Sequence, residues 1–373
     1  LLELNIFDGQ APDEKLNIEF PETVKCKNYA EFSDVIKNNN VFSIDLTEKE
    51  TKIYTGGVQY TITVEQNLLS AESLGYFDFL QVLKDIYSNA DNKVIAFDYK
   101  QQLHMLQEYG IEACCGYDDL SLLVYLCDGA GLEFKDFLNL NLYDETYSAF
   151  AVAKLFEKYI NLLGEEASLY NNVEKPLVKV LYDMERQGVK ISLQELEALS
   201  DTYQRKIEEY KNKIFEASGK IFNLNSPAKL GEILYNKFGI AEVKKKKEEK
   251  YVTSADILEG LADEYPVVGD VLQYRLYQKL KSTYLDGFKP LIDNGKRLHT
   301  TYKQAVTATG RLSSINPNLQ NIPIRKNEGL EIRKIFVPGE GNIFVDADYS
   351  QIELRLLAHF SGCKELVEAY KHG

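Results

Sequence analysis

Near Leu163-Gly164-Glu165-Glu166 the hydrophobic pattern of this 373-residue chain changes period, and that switch limits what it can fold into. Upstream, short strand-like runs alternate with helix-like ones. VFSIDL (41–46) and TKIYTGGVQYTITV (51–64) are rich in β-branched and aromatic residues, with Gly56-Gly57 marking a turn between two strands. KVIAFDY (93–99) reads as a strand and QQLHMLQEYG as a helix closed by Gly110. SLLVYLCDG and YSAFAVAKLFEKYINLL complete the pattern, so the expectation is an α/β domain around a mixed sheet. Downstream the helices lengthen. VEKPLVKVLYDMERQG (173–188) and LQELEALSDTYQRKIEEYKNKIFEASG (193–219) are amphipathic and each stops at a glycine. In 253–288, Ser254 is placed to cap one helix and Pro266 to open another.

Charge divides the chain at the same place. Residues 1–165 hold 28 acidic and 12 basic side chains, whereas 166–373 hold 29 and 31. The overall charge of −14 therefore sits in the first half. No arginine precedes Arg186, so bidentate phosphate binders occur only in the second half. Arg275 and Lys279, four apart on a helix, share a face that could follow a phosphate backbone or simply be solvated. The run from Lys244 to Lys250 reads as a solvated loop. Five cysteines without a C-x-x-C pattern suggest reduced, mostly buried thiols and no structural metal. No apolar run is long enough for a membrane span, and the opening LLELNIFDGQ lacks the pattern of a secretory leader.

The stretch from Thr300 to Arg355 carries the chemistry. A Gly-Arg turn is followed by an Asn/Gln-rich loop whose amides could donate to minor-groove acceptors and sugars. NIFVDADYS then reads as a strand placing Ile343, Phe344 and Val345 in a sheet and releasing Asp346 and Asp348 at its end. A helix, QIELRLLAHFSG, follows with Glu353 and Arg355. A carboxylate where a buried strand meets a helix is costly unless it binds a cation, and Mg²⁺ bridging to nucleotide phosphates would satisfy it. Taken singly, Glu353 is more simply a solvated side chain, Asp346 a loop acid, and 318–321 a turn-rich loop. Their joint placement beside Asp348 favours the functional reading.

ATGRLSS, NPNLQNIP and DYSQIELR together resemble the motifs of bacterial family A DNA polymerases. The resemblance runs back through KLKSTY, FNLNSPAKL and EKPLVKVLYDMERQGV, and so covers the chain from about residue 170 onward. It implies a ribonuclease H-like exonuclease domain at 1–166, the start of the polymerase region at 167–192, a helical thumb at 193–290 and an incomplete palm at 291–373. It implies template-directed DNA synthesis in replication and repair, with primer–template DNA and deoxynucleoside triphosphates as partners and Mg²⁺ as cofactor. The polymerase would be a cytoplasmic, nucleoid-associated monomer without membrane contact. Asp348 matches the acid that binds catalytic metal ions, helped by Tyr349. Tyr349, Ser350, Gln351 and Glu353 match the nucleotide site, with Glu353 excluding a ribose 2′-hydroxyl. Arg311, Asn318, Gln320 and Asn321 match contacts near the primer–template junction. Arg275, Lys279, Asn223 and Ser226 match thumb contacts to the duplex.

Two departures accompany the resemblance. Proofreading members hold two metal ions with four acids. Here Asp45-Leu46-Thr47 replaces Asp-x-Glu, Gln102 (with Asp98 as a rival) stands at the second motif, and Ala151 replaces the acid that follows Tyr147. Asp45, Asp118 and Tyr147 would be vestiges of that site, and a depleted acid set cannot hold two Mg²⁺ ions. In addition, only 25 residues (373 − 348) follow Asp348, without the basic triphosphate-gripping helix or a second metal-binding acid. The expectation is an internal piece of a polymerase, inactive alone. Two alternatives are a DNA-binding module without chemistry and, less favoured, an active 3′–5′ exonuclease with an unusual acid set.

Overall fold

The computed structural model describes residues 18–63, 74–129, 131–240, 252–324 and 327–372. They form two compact units: residues 1–188 with 299–321, and 189–298 with 322–373. These units differ from the boundaries expected at 166 and 290. Tyr170 and Val178 belong to the core of the first unit, which binds the helix after residue 166 to it.

The first unit is built on a six-stranded mixed sheet in the order β1-β4-β3-β2-β5-β6. Its strands are β1 (Thr23–Lys25), β2 (Val41–Leu46), β3 (Glu50–Thr55), β4 (Val58–Thr63), β5 (Lys93–Ala96) and β6 (Gly116–Asp119). The expected Gly56-Gly57 turn joins β3 to β4, with both glycines at positive φ (56° and 84°), a conformation that side chains resist. Antiparallel pairing of β2, β3 and β4 sets Ile44, Ile53 and Tyr60 in one row, and α1 (Tyr29–Asn38) covers that face through Phe32, 5.0 Å from the Tyr60 ring. Tyr54 points to the other face.

α2 (Tyr76–Tyr87), α3 (Tyr99–Glu108), α4 (Leu120–Asp128), α5 (Phe134–Leu140) and α6 (Ser148–Leu162) follow in the chain. Phe150 of α6 packs its ring 5.2 Å from Tyr54, so helices cover both faces of the sheet. The strand expected over 93–99 ends at Ala96, because Asp98 adopts a left-handed φ of 60° and caps α3 through the Gln101 amide. A short α7 (Ala167–Leu169), a π-helical turn (Tyr170–Glu174) and α8 (Lys175–Gln187) complete this part, and a ribbon pairs Thr301–Lys303 with Ser313–Ile315.

Thr51 is fully buried on β3, and its hydroxyl has no hydrogen-bond partner. Such a group opposes folding by about 1–3 kcal/mol. Thr51→Val should therefore stabilise the first unit by roughly 1 kcal/mol, read as a higher urea midpoint. A lowered midpoint would show the hydroxyl to be satisfied.

The second unit is mostly helical. α9 (Leu193–Ser218) is capped by Ser192, and it ends at Gly219 as its sequence predicts. α10 (Pro227–Gly231), α11 (Ala255–Glu259), α12 (Pro266–Leu280) and α13 (Asp286–Phe288) follow. α12 packs along α9 around Ile207, Ile214, Leu230, Val268 and Val271. Pro266 opens α12 as expected, whereas Ser254 occupies the cap position of α11 without a side-chain hydrogen bond. α14 (Asn327–Arg333), α15 (Ile352–Ser361) and α16 (Lys364–His372) close the unit.

The strand expected in NIFVDADYS does not form. Residues 342–349 are irregular, and Ile343 and Val345 are 82% and 83% exposed. No strand among the described residues pairs with them, and an unpaired strand has nowhere to place its backbone hydrogen bonds. The Lys244 to Lys250 run lies outside the described residues. All five cysteines are free, but only Cys26 and Cys115 are buried, fewer than expected. No helix among the described residues is long and apolar enough to cross a membrane.

Candidate nucleic-acid interface

In the first unit a cleft of about 430 Å³ opens at the ends of β2, β5 and β6, lined by Asp45, Thr47, Asp98, Gln102 and Asp119. Asp45 accepts a hydrogen bond from Ser148 on α6. Burial raises its carboxyl above the ordinary value, and the Ser148 bond only partly offsets this. Asp119 is buried and accepts from the amides of Asp98 (3.2 Å), Tyr99 (2.7 Å) and Ser121 (2.9 Å). Burial first, and the nearby Asp98 carboxylate second, push its carboxyl up as well.

Asp118, the acid expected here, is not in this cleft. Its carboxylate is neutralised by Lys93 (2.5 Å) and Lys175 (2.7 Å), and the Tyr170 hydroxyl donates to it (3.0 Å). Asp119 was missed, although Asp119-Leu120-Ser121 at a strand–helix junction carries an N-cap signature. Gln102 is a structural tie: its amide donates to the Ile44 carbonyl (2.7 Å) and accepts from the Tyr87 hydroxyl (2.7 Å). Thr47 bonds locally to Glu50, Ala151 is fully buried on α6, and the Tyr147 ring lies tilted against Phe20 (4.4 Å).

The Gly-Arg turn and Asn/Gln loop also lie in the first unit. Gly310 takes φ 76°, and Arg311, Asn318, Gln320 and Asn321 are exposed. Asn318 Oδ1 accepts from the Gln320 amide N–H (3.0 Å). Gln320 bonds back to one strand of the ribbon, accepting from the Ser314 amide (3.2 Å) and donating to the neighbouring Leu312 carbonyl (3.1 Å). The ribbon is tied down by Glu185 on α8, which accepts from the Tyr302 amide (2.6 Å), from Lys100, and pairs with His104 (2.5 Å).

In the second unit, Asn223 accepts from the Asn225 amide (3.0 Å), and Ser226 caps α10 through the Lys229 amide (3.4 Å). Arg275 is half-buried and donates to the Thr253 carbonyl and hydroxyl, and burial lowers its pKa. It is therefore not the open basic group that helix spacing suggested, whereas Lys279 is exposed. Asp346, Asp348, Tyr349 and Ser350 are exposed on the irregular segment. Gln351 begins α15 at φ 52° and accepts from the Tyr370 hydroxyl (2.9 Å). Arg355 donates to the Ser350 carbonyl (3.0 Å) and lies over the Tyr370 ring (4.9 Å). Glu353 occupies the exposed first turn of α15.

A carboxylate such as Asp348 suits Mg²⁺, but among the described residues no three His, Cys, Asp or Glu side chains converge on a metal position. The described residues do not by themselves make a magnesium centre.

The pattern of DNA polymerase family A matches residues 193–373, which include Arg311, Asp348 and Glu353. Residues 193–373 belong to that family. DNA polymerase I of Bacillus subtilis (strain 168) is 39% identical over 322 residues, covering 78% of this chain and 36% of the relative. A thermostable DNA polymerase I of Thermus thermophilus is 41% identical over 265 residues, covering 69% of this chain and 32% of the relative. The chain spans about a third of the length of these relatives. Among solved structures, the polymerase domain of Pol1 from M. smegmatis, in complex with DNA primer-template and dNTP, superposes with a TM-score of 0.77. It is 29% identical and covers 94% of this chain and 64% of that one.

Proposed function

We propose that this chain is part of a polymerase that adds deoxynucleotides to a primer 3′-hydroxyl under template direction, in replication and repair. The observation that carries the reading is the family match over 193–373 with DYSQIELR inside it. The primer-template and dNTP bound by the M. smegmatis relative support the same two partners here. In this reading the chain supplies an inactive exonuclease-like domain, a thumb at 193–290 and the first part of the palm. Asp348 contributes one carboxylate to a Mg²⁺ site completed by other donors. Arg311, Asn318 and Asn321 contact DNA near the primer–template junction, and Lys279 contacts the duplex backbone. The polymerase acts as a cytoplasmic monomer.

Loss of proofreading is supported by Thr47 and Ala151, and by the lysine pair that neutralises Asp118. The longer parent protein, incubated with Mg²⁺ and a mismatched primer–template, should leave the primer 3′ end intact. Metal-dependent excision abolished by Asp45→Ala would overturn the inactive-domain reading. Failure of the same protein to extend a matched primer with deoxynucleotides would overturn the polymerase reading.

A further inference from the structure

Two buried hydroxyls sit beneath the Asn/Gln loop without any assigned role. Thr300 is 6% exposed and Ser314 fully buried. Thr300 Oγ1 lies 2.7 Å from Ser314 Oγ, 2.8 Å from the Pro317 carbonyl and 3.0 Å from the Ile315 carbonyl. Ser314 Oγ in turn accepts from the Leu319 amide at 3.0 Å. Each hydroxyl has one proton, so a single chain of donors gives each of them a donor and an acceptor. The Leu319 N–H donates to Ser314, Ser314 to Thr300, and Thr300 to Pro317. The backbone is thereby held on both sides of Asn318. The exposed Gln320 side chain closes the same turn from above, through Ser314 and Leu312. Both ends of its amide are engaged by the protein, which leaves it poorly placed to read a base.

We propose that Thr300, Ser314 and Gln320 are positioning residues that hold the 316–321 loop in the conformation that presents Asn318 and Asn321 to primer–template DNA. This rests on the reading of that loop as a duplex contact. Because none of the three carries charge, loosening the loop removes short-range hydrogen bonds but no phosphate neutralisation. Affinity should fall while the salt dependence, which counts released counterions, stays the same.

The test is binding of the 373-residue chain to a fluorescein-labelled primer–template hairpin, read by anisotropy across a salt series. Thr300→Val and Gln320→Met should each raise Kd about tenfold with an unchanged salt slope. Thr300→Ser, which keeps the hydroxyl, should restore wild-type affinity. Gln320 is exposed, so its variant reports on the loop even if Thr300→Val melts early. Arg311→Ala serves as the control for the underlying reading. If Arg311→Ala weakens binding and both Thr300→Val and Gln320→Met leave Kd unchanged, the positioning role is overturned and the interface stands. If Arg311→Ala also leaves Kd unchanged, the interface reading itself fails. A changed salt slope in Gln320→Met would overturn the proposal too, since it would mean that phosphate contacts were lost.

Discussion

Glu185→Ala should destabilise the first unit by about 3–5 kcal/mol at pH 7, the usual cost of removing one partner from a buried ion pair. Glu185 is 4% exposed and sits where α3, α8 and the ribbon meet. Lys100 and His104 are four apart on α3, so both reach it from one helix face, and the Tyr302 amide reaches it from the ribbon. Without the carboxylate, the Lys100 ammonium stays buried with the Tyr302 carbonyl as its remaining partner (2.8 Å). The thermal midpoint should drop by roughly 10 °C for a unit of this size. Burial by itself would raise the Glu185 carboxyl. The bonds from His104, Lys100 and Tyr302 outweigh it and hold the group below its ordinary 4.5. A depressed carboxyl stabilises the fold above the unfolded-state value, and that contribution is lost as pH falls through the folded-state value. The gap between wild type and Glu185→Ala should therefore be widest above the ordinary 4.5 and narrow as pH falls below it. Calorimetry at pH 7 and pH 3.5 measures it, and equal midpoints at pH 7 would refute the role given to Glu185.

None of that cluster could be seen in the sequence. Glu185 bonds to groups 81, 85 and 117 residues away, and no local pattern brings them together. What the sequence does show is local. The β3–β4 hairpin follows from Gly56-Gly57 between two β-branched runs, and the end of α9 from a glycine at φ 59°. The NIFVDADYS expectation fails for the complementary reason. Its alternation describes the side chains of one strand, while strand formation also needs a neighbour to accept its hydrogen bonds. Arg275 misleads in the same way. Helix spacing gives its face, but not that Thr253 occupies its guanidinium. Asp118 and Asp119 are adjacent in sequence, and only the register of β6 with its neighbours, together with Lys93 and Lys175, decides which acid lines the cleft.

Asp348→Ala in the longer polymerase should lower nucleotide transfer by about 10³-fold or more, the scale of several kcal/mol of lost charge stabilisation at the reacting phosphoryl group. The structure gives this variant an unusually clean interpretation. Asp348 is exposed, on an irregular segment, and no hydrogen bond or ion pair ties it to another described residue. Its removal should leave the melting temperature unchanged, so lost activity cannot be attributed to lost fold. Primer–template affinity should also be nearly unchanged, because duplex contacts in the proposed function come from Arg311, Asn318, Asn321 and Lys279. Glu353→Ala should separate from it. Glu353 lies five residues further on, in the first turn of α15, and the resemblance gives it a steric role beside the sugar rather than a metal. Its loss should raise ribonucleotide relative to deoxynucleotide incorporation, a change in transition-state fit rather than in overall binding. Measuring kcat/KM for both nucleotide types with both variants distinguishes the roles. If Asp348→Ala retained transfer, or if Glu353→Ala left sugar selectivity at the wild-type ratio, the role assigned to that residue of DYSQIELR would be wrong.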